Sequence, residues 1–260
     1  MKTLSRAVGK SDIGGEPMAT VFRTFETNQM VFRRSEVSLI AGTPGAGKST
    51  LALALALRMQ MPTLYVSADT NAHTMAMRLY SMITGTSQSE AEKIISEEPD
   101  KAKEALAMAR HIYWSFDSSP SIQDLYDEVE AMEEMLGDSP ALIVIDNLMD
   151  VSMDGGEEFG AMRAALKEFK YLARDTNACI IVLHHTKEGY QGSPCQPRSA
   201  VQGMVNQLPA LILTVGQQDG LLGVASVKNR YGKADPSGNS PVFLQFSPEY
   251  MFIADLQEQR

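Results

Sequence analysis

VSLIAGTPGAGKSTLALALALRMQ, residues 37–60, decides the fold. Val37 to Ala41 is a short apolar run of β-forming residues, long enough for one buried strand. Gly42-Thr43-Pro44-Gly45-Ala46-Gly47-Lys48-Ser49 then fits G-x-x-x-x-G-K-[ST] in full, with Thr50 directly after it. From Ser49 to Met59 the pattern is that of an apolar helix. Strand, glycine-rich turn and helix together form the context that separates a phosphate-binding loop from an ordinary turn. Glycine lets the backbone wrap an anion with its N–H groups turned inward, and the helix N-terminus adds positive potential at the same point. Lys48 is placed to reach the β- and γ-phosphates of a nucleotide, and the Ser49 hydroxyl to ligate Mg2+.

The chain of 260 residues suits one large α/β domain with a full core. No apolar run approaches the roughly 18 residues of a membrane span, and MKTLSRAVGKSDIGGEP at the N-terminus has no apolar signal region. A cytoplasmic protein is therefore expected, and two cysteines, Cys179 and Cys195, suit a reducing compartment. A zinc site using both cysteines with His184 and His185 matches no standard spacing. The net charge of −9 argues against a broadly basic nucleic-acid surface but leaves room for a local basic lining inside an oligomer.

Along the chain, strand-like runs alternate with helical ones. Thr63–Ser67, Ile112–Phe116, Ala141–Ile145 and Ala178–Leu183 read as strands. The stretches from Asn71, over Ser87–Glu97 and Asp100–Arg110, from Ile122 to Met132 and over Phe159–Asp175 read as helices, with a short one over Ser199–Gln207. Val151–Glu158 and Thr186–Arg198 read as loops, and Ala210–Val215, Leu221–Val227 and Val242–Phe246 as closing strands. This order implies the α/β class: a mostly parallel central sheet with helices on both faces and C-terminal antiparallel hairpins. Residues 1–30 are polar, without a clear period, and read as an arm that is flexible or docks on a neighbouring subunit.

Ligands in such sheets bind at the carboxyl ends of the strands, where the P-loop, Asp69, Asp146 and the pair His184-His185 all fall. Asp146 ends the run LIVID and is placed to hold Mg2+ opposite Ser49. Asp69 is the carboxylate best placed to orient an attacking water, or it caps the following helix, a role equally open to Asn71. The histidine pair offers a donor to a γ-phosphate. Lys228 and Arg230, two apart in a strand-like run, point to one face, as a phosphate-binding pair or a solvated edge.

These motifs carry a resemblance. GTPGAGKST, SADTNAHTMAMRL, IYWSFDSSPSIQDL, LIVIDNL, IIVLHHTKEG and VKNRYGKADPSG follow in the order and spacing of the RecA-fold ATPase domain of hexameric replicative helicases of the DnaB type, with a lean to phage and plasmid relatives. The resemblance implies an arm over 1–35, a RecA-like ATPase core over 36–260, ATP and Mg2+ as cofactors, and an ATP site between subunits of a homo-hexameric ring or a filament on single-stranded DNA. It implies that Asp69 stands for the catalytic glutamate, His185 for the phosphate sensor, and Lys228 and Arg230 for cations that reach the neighbouring subunit's γ-phosphate. The loop with Lys187 and Arg198 matches the position of the DNA-binding channel loops. The expected activity is a DNA helicase or translocase of replication, in the host cytoplasm if phage-encoded, with a loader or primase as partner. About 35 residues ahead of the core leave no room for the family's helical collar, so assembly is expected to rest on the core and the arm. The alternatives are a RecA-type strand-exchange recombinase and a slow ATPase serving as a nucleotide-regulated scaffold or loader.

Overall fold

LIVI and CIIVL have no polar position because both faces of their strands are covered, the signature of a parallel sheet between helical layers. The computed structural model describes residues 15–153, 158–187, 189 and 193–256. In chain order the elements are α1 Arg23–Thr27, β1 Val37–Gly42, α2 Lys48–Met59, β2 Thr63–Ser67, α3 Ala72–Thr84, α4 Gln88–Glu97, α5 Pro99–Leu106, β3 Ile112–Ser115, α6 Ile122–Leu136 and β4 Leu142–Asp146. They continue with α7 Glu158–Asp175, β5 Cys179–His185, β6 Leu211–Gln218, β7 Leu221–Asn229, β8 Val242–Ser247 and β9 Phe252–Asp255. The strands of the described residues form a nine-stranded sheet in the order β3-β2-β4-β5-β1-β6-β7-β8-β9. β3 through β6 in that order are parallel, and β7, β8 and β9 add antiparallel to the edge.

Alternation along each strand sorts the core into two layers. Ile40, Tyr65, Leu142, Val144, Ile181 and Leu183 pack against α2 and α3. Leu39, Val66, Ile143, Ile145, Ile180 and Val182 pack against α6 and α7. The caps follow the sequence. Asn71 accepts from the Thr74 N–H at the start of α3, and Ser121 and Asp124 form a reciprocal capping box on α6. Gly85 and Gly137 end those two helices in the left-handed conformation.

The architecture is the α/β sheet expected, with local differences. The helix over Asp100–Arg110 is α5 followed by a 3₁₀ turn, Ala107–Ala109. Ser199–Gln207 is two 3₁₀ turns, Arg198–Ala200 and Gln202–Gln207, because Gly203 at φ 71 departs from right-handed helix. A fourth closing strand, β9, follows the three expected. The loops over Val151–Glu158 and Thr186–Arg198 lie in part outside the described residues.

Residues 1–14 also lie outside them, but 15–35 differ from a free or partner-docked arm. Met18, Phe22, Phe25, Met30 and Phe32 are buried in the α2-side layer of their own chain. The Asp255 carboxylate on β9 accepts both the Arg23 and Thr24 N–H groups at 2.9 Å, closing the start of α1. The spacing of these apolar residues matches neither a helix nor a strand, which is why the segment has no period in sequence.

Candidate functional site

β1 runs into the glycine-rich turn and α2 leaves it. Gly45 and Gly47 take φ of 72° and 98°, values open to glycine at little cost. No side chain caps α2 and its first turn holds no acidic residue, so the N–H groups there face the loop's hollow. Lys48 Nζ donates to the Gly42 and Thr43 carbonyls, both at 3.0 Å, folding the lysine over the loop. Burial lowers its pKa, and the Asp146 and Asp69 carboxylates oppose that effect. The cleft measures about 350 Å³, within the range of small-molecule sites. Its walls include the P-loop, Asp69, Asp146, Asn147, His185 and Gln217, with Arg78, Gln88, Phe246, Pro248 and Met251 toward the other end.

Strand parity decides which side chains enter. On β4, Leu142 and Val144 face α2, so Asp146 does too. It is 4% exposed and bonded to the Ser49 hydroxyl, and the Tyr65 hydroxyl donates to its Oδ2 at 3.2 Å. Burial pushes its pKa up to about 6; the bonds from Ser49 and Tyr65 pull it down, and the nearby Asp69 charge pushes it up. On β5, Leu183 faces α2, so His185 enters the cleft while His184 turns to the opposite layer. His184 is fully buried with Nε2 at 3.2 Å from the Gln202 carbonyl, so Nε2 carries the proton, and burial holds its pKa down at about 4. Burial and the Lys48 charge lower the His185 pKa as well. The pair therefore divides, with His185 at the cleft. Asp69 is exposed at the cleft's mouth, accepting from the Thr70 hydroxyl at 2.8 Å, and α3 is capped by Asn71.

Lys228 and Arg230 lie away from the cleft. The Arg230 N–H donates to the Ala210 carbonyl just before β6, at the end of the parallel strands opposite the P-loop. The pairing of β6 and β7 shifts between Ile212 and Leu213, a β-bulge that sets Lys228 opposite Ile212. Lys228 Nζ donates to the Asn206 and Gln207 carbonyls at 3.1 and 2.6 Å, and Arg230 pairs with Glu36. Strict alternation in one strand is therefore not what brings them together, because β7 ends at Asn229. They still share a neighbourhood: the Arg230, Arg198 and Lys170 charges all bear on Lys228 and, behind burial, lower its pKa. Lys187 and Arg198 are exposed and joined through the backbone, Lys187 N–H donating to the Ala200 carbonyl. Cys179 and Cys195 lie in opposite core layers, so they do not share a metal.

A family model for the AAA domain matches residues 28–191, from the last turn before β1 through the P-loop to beyond β5. The chain belongs to the AAA domain family. It is 33% identical over 253 residues to the Gene 65 protein of Mycobacterium phage L5, covering 93% of this chain and 94% of that one. This AAA domain has the RecA-like P-loop fold of a solved ATPase domain from a DnaB-like helicase, with a TM-score of 0.82 at 15% identity over 98% of this chain and 96% of that one. A DnaB-like replicative helicase, solved for its interactions with primase, superposes with a TM-score of 0.80 at 16% identity over 98% of this chain and 65% of that one. The resemblance carried by the motifs thus holds at the level of fold.

The AAA domain's cleft fits a magnesium nucleotide on its own chemistry. Ser49 and Asp146 offer adjacent hard oxygen donors, and a carboxylate held near 6 by burial gains from a cation beside it. Sequence reading missed Tyr65, Gln217 and Arg78. Tyr65 was within reach, since Thr63, Tyr65 and Ser67 share a face by alternation. Gln217, whose Nε2 donates to the Gly45 carbonyl at 2.6 Å, comes from β6 and has no local signal. Among the described residues no helix is long and apolar enough to cross a membrane.

Proposed function

We propose that the protein is a Mg2+-dependent ATPase that assembles as a ring or filament on single-stranded DNA and couples hydrolysis to movement, as a DnaB-like helicase or translocase. The observation that carries this reading is the position of Arg230. Ala210 pairs with Val37 at the start of β1, and Gly42 ends that strand, so Arg230 lies roughly 17 Å along the sheet from its own P-loop at about 3.3 Å per residue. A cation there serves a phosphate only in a neighbouring subunit.

In the assembled site, Lys48 and the uncapped N-terminus of α2 bind the phosphates, and Ser49 and Asp146 hold the magnesium that neutralises charge between them. Asp69 orients the attacking water and draws its proton. The neighbour's Arg230 and Lys228 meet the charge that develops on the γ-phosphoryl group. His185 lies in the cleft and also lines a second hollow with Pro44, Met149, Thr186 and Gln202, toward the segment that carries Lys187 and Arg198. It is positioned to report the γ-phosphate to that segment, which we assign to DNA contact. The site of action is the host cytoplasm, with a loader or primase as partner.

The test is hydrolysis with and without single-stranded DNA for wild type, Arg230→Ala, Lys48→Ala and an equal mixture of the two variants. Each variant alone is expected to be nearly inactive, and the mixture to regain part of the rate because some interfaces combine an intact P-loop with an intact arginine. Normal hydrolysis by Arg230→Ala, unaffected by DNA, would remove the motor reading. Unwinding of a forked duplex without partners distinguishes a helicase from a scaffold or loader, and D-loop formation would favour a recombinase.

A further inference from the structure

Arg230 is held by a small network at the start of β1. Its Nη1 donates to both carboxylate oxygens of Glu36, at 2.8 and 3.1 Å. The Tyr231 hydroxyl donates to Glu36 Oε1 at 2.5 Å, and the Arg33 guanidinium lies 4.5 Å from the centre of the Tyr231 ring. Asn229 fixes the turn between them, accepting the Tyr231 N–H at 3.0 Å and donating to the Gln29 carbonyl at 2.8 Å. The exposures are unequal: the Glu36 side chain is 13% exposed and that of Arg230 is 40% exposed. The acid is sunk against the sheet and the cation is presented.

An unrestrained arginine on a surface samples many rotamers, and fixing it costs about 2 kcal/mol of side-chain entropy. A cation that stabilises a transition state acts through being already in place. Glu36 is tied to β1, whose flanks β5 and β6 leave it no freedom. Its carboxylate therefore gives Arg230 a fixed anchor, and Tyr231 and Arg33 fix the anchor in turn. We propose that Glu36, braced by Tyr231, is the positioning residue for Arg230: it acts on the ATP site of the neighbouring subunit and not on the P-loop at the far end of its own strand. This rests on the reading of Arg230 as a cation that works between subunits.

Two rival roles give different results. If Glu36 serves only its own strand, its loss harms the P-loop of the same chain. If it restrains Arg230 as a latch, its loss speeds hydrolysis. Glu36→Gln keeps the shape and removes the charge. Binding of a fluorescent ATP analogue and DNA-stimulated hydrolysis are measured for this variant alone and mixed with Lys48→Ala, beside the mixture of Arg230→Ala with Lys48→Ala.

Nucleotide affinity is expected to stay within about twofold, since the P-loop is intact. The maximal rate should fall roughly tenfold to a hundredfold, because a displacement of about 1 Å costs on the order of 10² in rate. Mixing with Lys48→Ala should restore part of the rate, and Glu36→Asp should retain more activity than Glu36→Gln. Weakened nucleotide binding without recovery in the mixture overturns the proposal in favour of a role within the chain. Faster hydrolysis, or an unchanged rate while Arg230→Ala is inactive, also overturns it. If the Arg230→Ala mixture itself fails to recover, the intersubunit reading fails first, and the proposal with it.

Discussion

Asp146→Asn is expected to make the ligand-free protein more stable at pH 8 while removing its magnesium-dependent nucleotide binding. The native carboxyl takes up its proton near pH 6, against 3.8 for an ordinary aspartate, and burial is the cause. A raised native pKa contributes stability that is fully present below about pH 4 and lost as pH rises through about 6. That difference converts to about 3 kcal/mol at 1.36 kcal/mol per pH unit. Asparagine keeps a side-chain oxygen for the Ser49 and Tyr65 hydroxyls and has no charge to desolvate. Its advantage over wild type should therefore be about 3 kcal/mol at pH 8 and about half of that at pH 5. For a chain of this size the pH 8 value corresponds to roughly 6–12 °C in Tm. The assay is urea unfolding and calorimetry with a chelator present, at both pH values, followed by repetition with magnesium and ATP. Wild type should gain stability from the ligands and the variant should not. A variant less stable than wild type at pH 8, or a gap independent of pH, would refute the argument that Asp146 is a charge strained by burial.

Other outcomes follow from particular contacts. Phe22→Ala should cost about 3–5 kcal/mol, read as a lower urea midpoint, because Phe22 is 1% exposed and packs edge-on to Phe25 at 5.2 Å. A loss below about 1 kcal/mol would mean that residues 15–35 are not part of the core. His185→Ala should lower the DNA-stimulated rate with nucleotide affinity within a few-fold, whereas His184→Ala should act mainly on stability, since His184 lies in the other core layer against the Gln202 carbonyl. Equal effects of the two substitutions on turnover would remove the division of the histidine pair.

Much of the site was legible because its parts are local. The P-loop needs consecutive residues between a strand and a helix, and Gly45, Gly47 and Lys48 carry their conformations within that stretch. Asp146 and Asp69 were visible as polar residues ending apolar strands, and alternation along β5 separates His185 from His184. The parallel sheet was legible too, since strands covered on both faces leave unbroken apolar runs. What the sequence did not contain is long-range. Residues 15–35 hide their place in the core because each apolar side chain fills a gap between β8, β9 and α2 and follows no period of its own. The bulge that turns Lys228 toward Asn206 and Gln207 arises from a register shift between β6 and β7. Tyr65 bonded to Asp146, Gln217 on the P-loop and Glu36 bound to Arg230 join residues separated by many elements of chain. Sequence alone determined the elements and the phosphate loop, because backbone propensity and periodicity act over a few residues. Tertiary structure decided which side chains meet at the cleft and where Arg230 is held, because those contacts depend on strand order and register, which no local stretch encodes.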